Sequence, residues 1–439
     1  SAALHDAMFP PRSPSSTPPR IDRPRVPPLT QVPSPAMDAR PPVAARVATT
    51  AVFAFHGLAL AQWFVRIPDV KIQAGLDDGE LGLALLGSAV GSVSTMPIAG
   101  ALTSRFGSRN VTAAFSLLFC ACFLLPSFAS SQWTLFAGLV CFGMAVGGID
   151  VAFNSQASTV EKRHGQVLMS GFHASWSLAN LAGAVVATPL VALEIPPVMH
   201  LVPTGVLSGL AMLACTRWFL DDERHSEAAP VRAVARLTPP LLAIGTIAGL
   251  SLMVEGAVAD WSGIYLRDVL GAPPASAGFA FGAFSLTMAV SRLTGDWVAA
   301  RFEPRTIMVA GSVLSAIGLA GAIATPDRVL TIIGFAVCGA GIGTTFPLAL
   351  SAASRLPGQA SGAAIAAVAT MGYAGFLAGP PLIGTVSDAT ASLATGVGTA
   401  IAASMVMAVL ARAVPAGKVT PTEAPERMGG TAPATSGAG

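Results

Sequence analysis

Residues 133–157 read Trp-Thr-Leu-Phe-Ala-Gly-Leu-Val-Cys-Phe-Gly-Met-Ala-Val-Gly-Gly-Ile-Asp-Val-Ala-Phe-Asn-Ser-Gln-Ala. The stretch carries a single charged group, Asp150. It is long enough to cross a bilayer as a helix, which takes about 20 apolar residues. It lacks the ten-residue alternation of a barrel strand. Comparable runs lie near 43–65, 79–102, 110–129, 167–191, 199–220, 239–266, 275–297, 305–324, 329–350, 360–386 and 393–413. The expectation is an all-α membrane protein with twelve transmembrane helices joined by short loops.

Composition agrees. Of 439 residues, 53% are hydrophobic and 11% charged, and the mean hydropathy is +0.65. A soluble domain carries about 25% charge, and a chain this apolar could not cover its own surface with polar groups. The net charge is +2, with no basic tract dense enough for nucleic acid. Cys120, Cys122, Cys141, Cys215 and Cys338 sit inside apolar runs, with spacings that suit neither a disulfide framework nor a metal site. There is no Gly-x-x-x-x-Gly-Lys phosphate loop. An enzyme, an ATP-driven pump and a bound cofactor or metal are all disfavoured.

Residues 1–42 cluster Pro, Ser and Arg, which cannot bury a core. Two readings stand for them: Met37 is the start and 1–36 is upstream sequence, or the whole segment is a disordered tail. Residues 415–439 also read as a disordered tail. Under an N-in, C-in topology, one set of loops and tails holds 16 basic residues from Arg40 onward and the other holds 4. This places both termini in the cytoplasm. Residues 221–238 then form a cytoplasmic linker between helical domains at 43–220 and 239–414.

The two domains echo each other at an offset of 196 residues. Gly82 matches Gly278; Arg105, Phe106 and Arg109 match Arg301, Phe302 and Arg305. Gly138, Gly143, Gly147 and Gly183 match Gly334, Gly339, Gly343 and Gly379. Six spans repeated once in the same sense give two six-helix bundles related by a parallel repeat, with a substrate site between them near mid-membrane.

The segment Gly100-Ala-Leu-Thr-Ser-Arg-Phe-Gly-Ser-Arg109 resembles the cytoplasmic signature of the major facilitator superfamily, Gly-x-x-x-Asp-Arg-x-Gly-Arg-Arg/Lys, with Ser104 in place of the Asp. A second copy carries Arg292, Gly295, Asp296, Arg301 and Arg305. Asp150-Val-Ala-Phe-Asn154 and Leu168-Met-Ser-Gly-Phe-His173 resemble elements of the fucose permease branch, with His173 where that branch has a sugar-contacting Asn. The branch's proton-linked acid in span one falls at Phe64. The Arg66-Ile-Pro-Asp69 turn and Glu255-Gly-Ala-Val-Ala-Asp260-Trp261 look like a bacterial inner-membrane group within that branch. The resemblance implies a secondary transporter and suggests sugar transport, though not fucose itself.

Ionisable groups inside a span are costly and normally face a cavity or a partner. Asp150 lies 11 residues before Glu161, roughly 16 Å deep at about 1.5 Å per residue. His173, eight residues after Gly165, lies at about 12 Å on the same count. A carboxyl and an imidazole at similar depth suit proton coupling, with Glu255 a third candidate. The plainer reading is a permanent Asp150–His173 or Asp150–Asn154 bond. Candidate substrate contacts are His56, Asn154, His173, Trp176, Glu255, Asp260 and Tyr373, with helix packing the alternative for each; Asn180, Thr344 and Thr345 are weaker candidates. Trp63 and Trp261 fit a cavity or a membrane-interface anchor equally well. Arg292 and Asp296 can pair at i,i+4; with Arg105, Arg109 and Arg301 they form the expected gating set.

The resulting expectation is a monomeric inner-membrane transporter moving a small polar solute, plausibly a sugar, by alternating access with proton symport. A proton-driven exporter of amphipathic compounds and a non-transporting, transporter-like sensor remain the alternatives.

Overall fold

The computed structural model describes residues 42–165, 168–221, 236–357 and 361–414, without the side chains of 170, 296, 361–363 and 366. Both tails, the Met37 question and most of the expected 221–238 linker lie outside these residues.

The described chain is helical. The N-terminal half holds α1 (Val43–Ala74), α2 (Asp78–Phe106), α3 (Ser108–Cys122), α4 (Gln132–His164), α5 (Met169–Ala192) and α6 (Pro197–Cys215). The C-terminal half holds α7 (Pro239–Ile264), α8 (Ser276–Ala299), α9 (Pro304–Ala324), α10 (Arg328–Ile342), α11 (Thr345–Ser354), α12 (Ser361–Thr390) and α13 (Leu393–Ala411). Among the described residues, ten segments are long and apolar enough to cross a membrane: α1 to α7, α9, α10 with α11, and α13. α8 and α12 add helices of 24 and 30 residues.

Sequence signals set the ends. Asp77 and Glu80 form a capping box at α2, as do Ser131 and Thr134 at α4; each satisfies amides that have no partner inside the helix. Pro197, Pro239 and Pro304 open α6, α7 and α9, where the missing N–H costs nothing. Gly75 (φ 65°) turns α1 into α2 at one end of the molecule, and Gly107 (φ 84°) turns α2 into α3 at the other. These are the Gly75 end and the Gly107 end.

Two boundaries differ from expectation. The Arg66–Asp69 stretch is not a turn; α1 runs through Pro68 to Ala74, because ion pairs satisfy the charges that suggested a loop. The run at 329–350 is broken at Gly343–Thr344 into α10 and α11. The third span keeps its expected extent: α3 stops at Cys122, and a 3-10 turn at Leu125–Phe128 completes the membrane-length segment Ser108–Phe128.

Packing follows a common scheme in each half. α2 lies on α4, α1 on α5 and α3 on α6; α8 lies on α10, α7 on α12 and α9 on α13. The small residues set the spacing. A Cβ on Gly147 would meet the Cα of Ser92 at 2.7 Å, and one on Gly343 would meet the Met288 carbonyl at 3.0 Å. Those two contacts stand 196 residues apart in both partners. The halves meet through α2 on α12 and α5 on α8. Near the Gly75 end the first pair is backbone to backbone: a Cβ on Gly82 would lie 2.6 Å from the Pro380 carbonyl and 3.0 Å from the Gly384 Cα.

Candidate functional site

Helices from both halves line a cavity of about 140 Å³. α1 contributes Leu60 and Phe64; α5 contributes Trp176, Ser177 and Asn180. α7 supplies Glu255 and Ala259, α8 supplies Phe281, Phe284, Ser285 and Met288, and α12 supplies Phe376. The wall is aromatic with a few polar points. Phe64 packs on Phe281 with centroids 5.1 Å apart.

Two of the predicted contacts, Trp176 and Glu255, line this cavity. Trp176 is fixed from behind: its Nε1 donates to His56 Nδ1 at 3.1 Å. His56 is therefore a support for the wall. It is 2% exposed and packs on Phe119 and Phe153. One turn on, Asn180 Nδ2 donates to the Trp176 carbonyl at 3.0 Å. Its Oδ1 has no partner among the described residues, although the residue is only 2% exposed.

Glu255 receives Arg292 Nη2 at 3.1 and 3.3 Å, and Arg292 Nε donates to the Gly343 carbonyl at 3.2 Å. Arg292 thus joins α7, α8 and the α10–α11 break. Asp296, its expected i+4 partner, has its side chain outside the described residues. Asp150, His173, Glu255, Arg292 and Tyr373 come from α4, α5, α7, α8 and α12. All five are at least partly exposed although they sit within helices.

Asp150 and His173 do not bond to each other. α5 packs chiefly on α1 and α8, and α4 on α2 and α3, so the antiparallel neighbours in sequence are not close neighbours in space. Asp150 instead accepts Asn154 Nδ2 at 3.3 Å, and the same amide donates to the Asp150 carbonyl at 2.9 Å. His173 stands edge-on to Phe53. Asp260 is 7% exposed and does not line the cavity. Trp63 and Trp261, 3% and 0% exposed, are core residues and neither interface anchors nor cavity walls.

Of the expected gating arginines, Arg109 ties α3 to the end of α6. It donates to the carbonyls of Thr216, Arg217 and Phe219 and pairs with Asp221 at 3.1 Å. Arg105 lies over Phe106, and Arg301 over Trp297 at 3.8 Å. Each contact stays within its own half. The ion pairs that join the halves, among the described residues, are at the Gly75 end. Asp69 pairs with Arg66 at 2.6 Å and with Arg267. Lys71 pairs with Asp78 and with Asp268, both at 2.6 Å. The sequence offered no signal for these two bridges beyond an unusual density of charge beside apolar runs.

The family model of the Major Facilitator Superfamily matches residues 47–380 and 241–436. An uncharacterized MFS-type transporter of Yersinia pestis is 32% identical over 375 residues, 85% of this chain and 97% of that protein. Among solved structures, a bacterial homolog of the human lysosomal transporter Spinster, inward-facing and unoccupied, superposes with a TM-score of 0.68 at 13% identity. It covers 86% of this chain and 96% of that one. The fucose:proton symporter of E. coli superposes with a TM-score of 0.56 at 15% identity, covering 86% and 100%. Together with the membrane-length helices and the cavity between the two halves, these matches assign the chain to the Major Facilitator Superfamily of transporters.

Proposed function

We propose that this protein is a proton-coupled secondary transporter of a small polar solute with an apolar face, plausibly a sugar, working by alternating access. The observation that carries the reading is the cavity itself. Both halves build it, and it is lined by Asn180, Glu255 and the Trp176 ring beside apolar walls. A sugar ring presents hydroxyl donors on its edge and C–H groups on its face, which suits that combination.

The common packing scheme of the halves, with glycine contacts repeated 196 residues apart, supports twelve spans in two bundles at 43–220 and 239–414. The charge bias of the loops supports an inner-membrane protein with the Gly107 end and both termini in the cytoplasm. The Gly75 end is then external. Bridges and backbone contacts close it, while the Asp150–His173–Arg292 group stays partly exposed, so this is an inward-facing state. Asp150 is the proton-coupling acid in this reading, since its hydrogen-bonding partner Asn154 is neutral while Glu255 is already paired with Arg292. The transporter acts as a monomer and needs no cofactor.

A second reading, export of amphipathic compounds, is favoured by one observation: Phe64, Phe281, Phe284, Met288 and Phe376 make most of the cavity wall apolar. Proteoliposomes with an imposed proton gradient separate the two. Gradient-driven accumulation of one sugar class, abolished in Glu255→Gln and Asn180→Leu, supports sugar symport. Movement of hydrophobic cations against the proton gradient, with no sugar flux, moves the assignment to the exporter.

A further inference from the structure

The bridges at the Gly75 end hang on one buried arginine. Arg66 is 2% exposed. Its Nη1 donates to Asp69 at 2.6 Å and its Nε to His200 Nδ1 at 2.8 Å. Arginine has no lone pair to offer, so His200 Nδ1 must be the acceptor. The other ring nitrogen, Nε2, faces Gln62 Oε1 at 2.7 Å. That oxygen is an acceptor, while the Gln62 amide nitrogen donates to the Leu58 carbonyl. His200 Nε2 must therefore carry the hydrogen. Both contacts are satisfied by one neutral tautomer and by no charged form: a proton on Nδ1 would set two donors face to face in a site 3% exposed.

We propose that His200 is a proton-binding site of the transport cycle, through which protons from the external side release the closure between the halves. This rests on the transporter reading above. A proton on Nδ1 repels Arg66 and makes His200 a competitor for Asp69. Asp69 is the group that holds Arg267 of the C-terminal half, so the bridge weakens. The charged groups that bear on His200 are Arg66 and Asp69, both on α1. Its remaining polar neighbours, Gln62 on α1 and Thr204 on its own helix, are neutral. Among the described residues of α3, also packed on α6, the ionisable side chains are Arg109, which holds the far end of α6, Cys120 and Cys122. Neither cysteine hydrogen-bonds to the ring; Cys120 Sγ donates to the Val206 carbonyl.

The closure is also built to reopen. Breaking it separates Asp69 from Arg267 and Lys71 from Asp268. Asp69 keeps Arg66 and Lys71 keeps Asp78 on one side, while Arg267 and Asp268 are adjacent in sequence on the other. The bridge residues thus stay charge-balanced within each half, which avoids the expensive outcome of breaking a buried pair, and the proton on His200 is the one added charge. The pocket is linked to this device through α1, since Phe64 lines the cavity two residues before Arg66.

The test uses the full chain in right-side-out membranes, with Cys120, Cys122, Cys141, Cys215 and Cys338 replaced by alanine and Ser285→Cys as reporter on the cavity wall. Labelling by a membrane-impermeant maleimide from the Gly75 side is measured from about pH 7.5 down to about pH 4, a window that starts above ordinary imidazole titration and reaches below it, since both contacts of the ring fit only its neutral form. Each rate is divided by that of His200→Gln at the same pH, which cancels the thiol's own response. Glutamine can accept from Arg66 and donate to Gln62 but cannot be charged. The normalised rate should rise several-fold on acidification. Asp69→Asn should be fast across that window, and His200→Lys should match it. Lysine is the variant most at risk of misfolding; the near-isosteric Gln and Asn variants carry the test without it. An acid response as large in His200→Gln as in its parent, or slow labelling of Asp69→Asn, overturns the proposal while leaving transport intact. A reporter that stays unlabelled from the Gly75 side in every variant, yet reacts from the Gly107 side, overturns the alternating-access reading as well.

Discussion

Glu255 and Arg292 form an ion pair across α7 and α8, at 3.1 Å, on the wall of the cavity between the halves. Each is about one-fifth exposed, so the pair is reachable by solute. Neutralising one partner leaves the other in a part-buried site with no counter-charge. Glu255→Gln and Arg292→Gln should each lower the melting temperature and abolish gradient-driven uptake. The double variant should recover much of the stability and none of the uptake. A double-mutant cycle in chemical or thermal unfolding should give a coupling of about 0.5–3 kcal/mol.

Asp150 differs, because its hydrogen-bonding partner is the neutral Asn154 amide. Asp150→Asn keeps the shape and a neutral hydrogen-bonding group. It should eliminate proton-driven accumulation while counter-exchange of preloaded solute survives. Full accumulation under an imposed pH gradient in this variant removes Asp150 from the coupling role.

The helix spacing makes a separate prediction. A Cβ on Gly147 would lie 2.7 Å from the Ser92 Cα, whereas one on Gly321 in α9 meets nothing within 4 Å. Gly147→Ala should destabilise by about 1–3 kcal/mol through overpacking. Gly321→Ala should be neutral or stabilising by up to about 1 kcal/mol, from helix propensity alone. Opposite signs in thermal unfolding of the two variants check the assigned contact.

The helical membrane fold was legible because hydropathy and length decide it, and the run around Asp150 was enough to start from. The family was legible in Arg105, Gly107 and Arg109. Trp176 and Glu255 were found because polar and aromatic groups inside a span must go somewhere. What failed was pairing. The Glu255 partner of Arg292 was missed because sequence spacing shows neighbours on one helix only, and Glu255 is 37 residues away; the Arg292–Asp296 pairing falls on a side chain outside the described residues. His173 was read with Asp150 because consecutive spans were taken as neighbours, whereas α1 and α8 are what α5 packs on. Arg66 and Asp69 looked like a turn because their partners, His200 and Arg267, are more than a hundred residues distant.

His56 and Trp176 provide the last test, since one contact supports the cavity wall. Trp176 Nε1 donates to His56 Nδ1 at 3.1 Å, while His56 Nε2 has no partner among the described residues. Trp176→Phe keeps an aromatic ring in the cavity but leaves a second ring nitrogen of a buried histidine unpaired. The cost should be about 1–3 kcal/mol, the desolvation of one orphaned polar group. Adding His56→Phe removes both nitrogens from a site already walled by Phe119 and Phe153, so the double variant should regain most of the lost stability. Solute affinity should not return with it, because the ring at 176 is then smaller and no longer anchored. A double variant as unstable as Trp176→Phe alone would mean that the hydrogen bond is not what Trp176 contributes, and that the indole's bulk supports the wall instead.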